Sequence, residues 1–166
     1  MLIRRAALRP VLAGAIALLG AGCGLVPSDP ADPPAFGARA EGGAIVVRIP
    51  LCASDHVRRV DVTDFEDKRE RPRTVWWASG PVTPAARQGV VRLWSGEGFA
   101  QHAGPPASVP ETLDIGYTDP SGDGRGDVLD LPAIRKASLR AGEFWTRDGV
   151  KTAEQIDAQL GCHGGR

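Results

Sequence analysis

The sequence has little net charge, few cysteines and no long hydrophobic run. Its 20 basic and 20 acidic side chains give a net charge of zero over 166 residues. This balance argues against nucleic-acid binding, which requires a strong basic field. The longest apolar stretch, residues 11–19, is about half the roughly 20 residues that a membrane-spanning helix needs. No other stretch comes close to that length.

The sequence also lacks the short motifs of common catalytic sites. It contains no G-x-S-x-G nucleophile elbow, no phosphate-binding loop and no H-E-x-x-H motif. Ser54, Asp55 and His56 have the residue types of a triad, but sequence neighbours rarely converge on one point. We therefore predict no catalytic residues and favour a non-enzymatic role. The alternative is a small extracytoplasmic hydrolase with a site assembled from scattered Asp and His residues.

The N-terminus has the parts of a secretory signal peptide. Three arginines precede the apolar residues 11–19, and small residues occupy positions 20–22 before Cys23. This pattern resembles the lipobox of bacterial lipoproteins, in which the cysteine receives a diacylglycerol and becomes the first mature residue. The resemblance implies a signal peptide over residues 1–22, lipidation of Cys23 and anchoring at the extracytoplasmic face of the cell membrane. An uncleaved membrane anchor is the alternative, and the Arg4–Arg5 pair leaves both general and twin-arginine export open.

Residues 23–43 are predicted to form a flexible tether. The 20 residues after Cys23 contain four prolines and four glycines and show no hydrophobic period. A chain of this composition has little apolar surface to bury and favours an extended, disordered state. The folded extracytoplasmic domain is therefore predicted to cover residues 44–166.

Short β-rich segments separated by Gly- and Pro-rich turns dominate this domain. Strands are predicted at residues 44–52, 56–65, 73–78, 89–95, 112–117, 128–131, 142–147 and 150–152. Ile156 and Leu160 lie four residues apart and favour a short helix over 153–160, a segment that can equally continue the strand. We predict a mainly β fold: a single antiparallel β-sandwich, immunoglobulin-like or a small barrel, with at most a short C-terminal helix.

Cys52 and Cys162 are the two cysteines left once Cys23 is assigned to lipidation. An even pair in an exported domain favours a disulfide bond, because export places thiols in an oxidising compartment. The alternative is a metal site that adds His56 and His163 to the two cysteines. Adjacent cysteine and histidine ligands are poor spacing for zinc, so the disulfide is preferred.

Residues 119–130 have the oxygen-ligand spacing of a calcium-binding loop. Oxygen-bearing side chains alternate, and Gly124 stands at the sixth of twelve positions, as in an EF-hand loop. The candidate ligands are Asp119, Ser121, Asp123, Asp127 and Asp130. The alternative is a polar hairpin loop, because the predicted flanks are strands rather than helices. Apart from calcium, the sequence predicts no cofactor.

Four of the nine aromatic residues are tryptophans. Neighbouring side chains on a strand point to opposite faces, so Trp76 and Trp77 cannot both enter one core. An aromatic side chain outside the core can stack on a sugar ring or on a partner protein. The candidate binding surface is therefore Trp76, Trp77, Trp94 and Arg92, and the alternative is core packing.

As a whole, the sequence resembles the small secreted lipoproteins of high-GC actinobacteria. The resemblance rests on the lipobox, on an Ala/Gly/Pro/Arg-rich composition, on a Val/Arg strand ending in Leu51–Cys52, and on Cys162 near the C-terminus. It implies a membrane-anchored protein and transfers no active site. We expect a lipid-anchored β-domain that binds an envelope protein or glycan, with a calcium-stabilised structural module as a further alternative.

Overall fold

The structure, a computed structural model, describes residues 32–70 and 72–162. The predicted signal peptide, Cys23 and His163 lie outside the described residues. Within them, the strands are β1 (Gly37–Glu41), β2 (Ala44–Arg48), β3 (Arg59–Asp64), β4 (Thr74–Pro81), β5 (Val90–Arg92), β6 (Phe99–His102), β7 (Thr112–Thr118), β8 (Gly124–Asp130), β9 (Glu143–Thr146) and β10 (Gly149–Thr152). The helices are α1 (Pro84–Arg87), α2 (Leu131–Lys136) and α3 (Ala153–Ala158).

The strands form two antiparallel sheets of five strands each. The first has the order β10-β9-β1-β2-β5, and the second has the order β6-β4-β3-β7-β8. Alternate residues of both sheets join one hydrophobic cluster, which includes Ala38, Ile45 and Val47 from the first sheet and Val60, Val62, Leu113 and Ile115 from the second. The prediction of a mainly β fold is confirmed.

The first strand lies in the segment that the sequence assigns to the tether. Gly42 and Gly43 have φ values of 56° and 82°, as a two-residue hairpin turn requires, and they join β1 to β2. Phe36 is fully buried. A Cβ at Gly37 would lie 2.3 Å from an α3 side chain, so this glycine permits close packing. The predicted tether, residues 23–43, is therefore too long. The sequence pattern does not reveal β1, because its buried residues are the small Gly37 and Ala38.

Two helices were not predicted. α1 lies in the connection between the predicted strands 73–78 and 89–95, and α2 begins at the last residue of the predicted strand 128–131. Thr83 caps α1 by accepting the backbone N–H of Ala86 at 3.2 Å, and Asp130 caps α2 through Ala133 at 2.8 Å. Each cap is followed by a proline in the first turn. The expectation of at most one helix is wrong, because helices this short show no hydrophobic period. The predicted C-terminal helix is confirmed as α3, which begins at a Thr152 capping box.

Over the described ranges, no helix has both the length and the apolar character needed to cross a bilayer.

Candidate functional site

The four tryptophans do not form one surface. Trp76 is fully buried, and its indole Nε1 donates to the carbonyl of Ala103 at 3.1 Å. The ring of Trp94 packs edge-on against it, with 5.9 Å between the centroids. Trp77 points the other way, to the outer face of the second sheet. The prediction that Trp76 and Trp77 occupy opposite faces is confirmed, and Trp76 belongs to the core.

Arg92 and Trp94 also lie apart from Trp77. Arg92 is on β5 in the first sheet, and its Nε lies 3.1 Å from Oε2 of Glu97. Trp94 follows this strand with a φ of 67°, a left-handed conformation that costs an L-residue roughly 1–2 kcal/mol. The packing of its half-buried ring on the core offsets part of that free-energy cost. The four residues predicted as one surface therefore lie on different parts of the fold, and Trp77 is the one on the outer face of the second sheet.

The neighbours of Trp77 form a row across the second sheet. Asp61 is paired with Trp77 on one side and with Gly116 on the other, and Gly116 is paired with Gly126. Residues directly opposite each other in antiparallel strands share a face. The row therefore runs from β4 to β8 across three strand spacings of about 4.8 Å, or roughly 14 Å. We call this surface the Trp77 face.

A stacked ion pair occupies one end of the Trp77 face. The guanidinium of Arg59 lies 4.7 Å from the ring centroid of Trp77. The same group donates to both carboxylate oxygens of Asp61, at 2.7 Å from Nε and 2.5 Å from Nη2. The hydrogen bond to Asp61 raises the pKa of Arg59, so the guanidinium stays charged through neutral pH. Both side chains are 36% exposed, which leaves the pair open to solvent.

Glycines form the floor at the other end. A cavity of about 510 Å³ lies over Gly116, Gly124 and Gly126. Its remaining lining comes from Asp61, Thr63, Asp114, Tyr117, Thr118 and Arg125. The Tyr117 ring packs inward against Phe36, and burial raises the pKa of its phenol. The cavity is thus an open groove with a backbone floor and polar rims.

The part of the floor that β8 supplies, Gly124 and Gly126, was predicted as a loop. The sequence predicts a loop before residue 128, whereas β8 begins at Gly124 and pairs with β7 along its whole length. Glycine has low strand propensity, which hides this part of the strand from a pattern search. The usable signal is Gly116 in the middle of an otherwise alternating strand, since a glycine there often marks a close approach by a ligand or another backbone.

The five predicted calcium ligands do not converge on one point: the Ser121 hydroxyl contacts both Asp119 and Asp123 in the turn, whereas Asp127 and Asp130 point elsewhere. Asp119 accepts backbone N–H groups and the Ser121 hydroxyl in a tight turn, and that hydroxyl lowers its pKa. Asp127 points inward to the N–H of Phe36, and Asp130 caps α2. No group of three or more His, Cys, Asp or Glu residues in the described part of the chain is placed to hold a metal ion. The loop is the polar hairpin that was the alternative, because β7 and β8 pair up to it.

The predicted disulfide joins Cys52 to Cys162, with 5.6 Å between their Cα atoms. This confirms the pairing over the alternative metal site. A second cavity, of about 610 Å³, lies beside the bond and is lined in part by Arg48 and Asp157. Arg48 forms an ion pair with Asp157 and donates to the carbonyl of Gln88. This cavity is larger than the groove, and the ion pair of Arg48 with Asp157 occupies its charged wall, although Nε of Arg48 is buried without a hydrogen-bond partner among the described residues.

The described histidines stand apart from the two cavities. His56 is exposed and lines neither of them. His102 lies on β6, with Nδ1 2.9 Å from the carbonyl oxygen of Ala103. The hydroxyl of Ser54 donates to Asp55 rather than to a histidine. The triad-like sequence at residues 54–56 therefore forms no nucleophile and base pair.

Comparison with protein-family models, with curated proteins and with solved structures found no match for this chain.

Proposed function

We propose that this protein is a lipid-anchored, extracytoplasmic β-sandwich domain that acts as a binding module of the cell envelope. The binding surface is the Trp77 face of the second sheet. One observation carries the proposal: a half-buried tryptophan and a paired carboxylate stand beside a groove whose floor is backbone. Exposed aromatic side chains next to polar groups are a common way to bind a sugar ring or a protein surface.

An anchor at Cys23 would keep the folded domain close to the membrane. The first strand begins at Gly37 rather than near residue 44, so fewer residues separate Cys23 from the fold than the predicted tether contains. Asp32, the first described residue, follows Cys23 by nine residues, which reach roughly 30 Å when fully extended. The ligand is then expected in the layer of the envelope next to the bilayer.

Replacing Cys23 tests the anchor. The Cys23→Ser protein cannot receive a diacylglycerol, so it is expected to move from the washed membrane fraction to the soluble fraction or to accumulate as precursor. A Ser28→Ala protein, changed in the same segment, should stay in the membrane. Immunoblotting of the two fractions measures this. A processed Cys23→Ser product that stays in the membrane contradicts the anchor.

Replacing Trp77 tests the binding face. Labelled, detergent-solubilised Trp77→Ala protein is expected to bind isolated cell envelopes at least about tenfold less tightly, a change of roughly 1.4 kcal/mol. The matched control is Trp145→Ala, which removes a half-buried tryptophan from β9 of the first sheet. Melting temperatures of both variants report any loss of folding. Equal binding by wild type and a folded Trp77→Ala protein would overturn the assignment of the face.

A further inference from the structure

We propose that the ligand of the Trp77 face is an uncharged, hydroxyl-rich glycan chain, which lies across the strands from Trp77 over Gly116 towards Gly126. This inference rests on the proposed function and names the chemistry of its ligand. Three features of the groove support it: a glycine that the fold does not need, a surface without an excess of positive charge, and interior strands whose backbone is already paired.

Gly116 is the glycine that the fold does not require. Its φ is not positive, so its backbone conformation does not require glycine. A Cβ placed on it would lie 3.7 Å from its nearest neighbour, the carbonyl oxygen of Arg125, which is an ordinary van der Waals distance. Its neighbours differ, because a Cβ on Gly124 would lie 1.8 Å from the oxygen of Tyr117. A glycine inside a strand costs about 0.5–1 kcal/mol relative to alanine. The open space above Gly116 is therefore not explained by packing, and a ligand in the groove explains it.

The groove carries no excess of positive charge. Arg59 and Asp61 neutralise each other, and the rim adds one carboxylate, Asp114. Arg125 is paired with the inward-facing Tyr117, so its guanidinium belongs to the opposite face of the sheet. A polyanion would need an excess of basic groups, which this surface lacks. Carboxylates accept hydrogen bonds from hydroxyl groups, and guanidinium groups donate to them. The rims therefore suit a neutral ligand that carries many hydroxyl groups.

The backbone of the interior strands of the groove is already paired, which argues against an extended peptide. Peptides that bind to sheets add a strand at a free edge, where main-chain groups supply the affinity. Here β3 and β7 are interior strands, and among the strands that line the groove only β8, the last strand of the described sheet, has a free edge. A ligand that spans the row from Trp77 to Gly126 therefore binds through the face of the sheet. Stacking on the Trp77 and Arg59 pair, with hydrogen bonds to the rims, provides that mode for a sugar chain.

Filling the groove from its floor tests the proposal. A Gly116→Val side chain fits the strand and projects into the space that the glycan would occupy. The control is Gly104→Val, because a Cβ at Gly104 meets nothing within 4 Å and this residue also lacks a positive φ. Both full-length proteins are titrated with neutral glucan, mannan and galactan hexasaccharides, and with hexagalacturonate as the charged arm, by isothermal calorimetry.

We expect at least one neutral hexasaccharide to bind wild type and Gly104→Val alike, and Gly116→Val to bind it at least about tenfold more weakly. The melting temperature of Gly116→Val should be unchanged or higher, which separates blocking from misfolding. Absence of neutral binding up to millimolar ligand, preference for hexagalacturonate, or equal binding by folded Gly116→Val would overturn the proposal. If Trp77→Ala still weakens envelope binding in those cases, the Trp77 face remains the binding surface, and its ligand belongs to a chemical class other than neutral glycans.

Discussion

Removing the Cys52–Cys162 disulfide is expected to lower the free energy of unfolding by about 4–5 kcal/mol. The bond closes a loop of 110 residues, which covers nearly all of the domain. In the chain-entropy model, the loss of such a cross-link frees the unfolded chain and leaves the native contacts unchanged. For a domain of this size, the melting temperature should fall by roughly 10–20 °C.

The Cys52→Ser, Cys162→Ser double variant provides the measurement. Its thermal unfolding is compared with that of wild type, with and without reductant. Reductant should lower the wild-type melting temperature to about that of the variant and should leave the variant unchanged. A local effect is also expected, because the bond holds the end of α3 beside β2. Amide exchange should accelerate at the C-terminal end of α3, which is then held by the ion pair of Arg48 with Asp157, by the burial of Ile156 and by the hydrogen bonds of Gln159 with Ala35. A fall of less than about 2 °C would contradict this account of the disulfide.

The second large effect is expected at Asp127, whose carboxylate joins three parts of the fold. Its side chain is 5% exposed, accepts the backbone N–H of Phe36 at 2.7 Å, and pairs with the guanidinium of Arg147. It thereby fastens β8 to the start of β1 and to the turn between β9 and β10. Asp127→Ala leaves the buried N–H of Phe36 without its acceptor, whereas Arg147 keeps its contacts with Asp148 and the carbonyl of Pro33. The expected loss is about 1–3 kcal/mol, the cost of an unsatisfied buried donor.

Urea unfolding of matched variants separates the contributions. Asp127→Asn keeps an acceptor for Phe36 but loses the charge, so its loss should be smaller than that of Asp127→Ala. Asp123→Ala removes an exposed carboxylate from the nearby turn and should change stability by less than about 0.5 kcal/mol. The double variant Asp127→Ala, Arg147→Ala should be less damaging than the sum of the single changes, because both break one interaction. Equal effects of Asp127→Ala and Asp123→Ala would contradict the structural role.

Alternation and turn chemistry made much of the β fold predictable. Val60 and Val62, with Asp61 between them, give β3, and the two residues between the predicted strands 142–147 and 150–152, Asp148 and Gly149, fall at the turn between β9 and β10. The disulfide was also predictable, because Cys52 and Cys162 are the two cysteines left once Cys23 is assigned to lipidation. In each case, a local rule about side-chain direction, turn geometry or cysteine oxidation was enough to predict the feature that the fold contains.

The remaining elements were hidden because small residues do the packing. β1 contains two alanines and a glycine, so it resembles a linker, although Phe36 just before it is fully buried. β6 carries one buried residue, Phe99, within a predicted loop. α1 and α2 depend on a cap and a proline rather than on a hydrophobic period. A hydrophobic pattern in a sequence depends on bulky side chains, whereas these segments depend on the tertiary contacts that they make.

The candidate site illustrates the same limit. The sequence could show that one of Trp76 and Trp77 lies outside the core, but not which one. Asp61, Gly116 and Gly126 could not be joined to Trp77, since they are brought together by the register of four strands. The calcium interpretation failed for the same reason, because the register turns Asp127 into the core and away from Asp123.

The most direct test of the central claim is to map the ligand contacts on the protein itself. In a heteronuclear NMR titration of the protein with the neutral hexasaccharide that binds it, the indole N–H of Trp77 and the amides of Asp61, Gly116 and Gly126 are expected to shift. Signals of Arg48, Gln88 and Asp157 at the other cavity should stay in place. Shifts confined to that cavity, with the Trp77 face unchanged, would contradict the claim that this face is the binding surface.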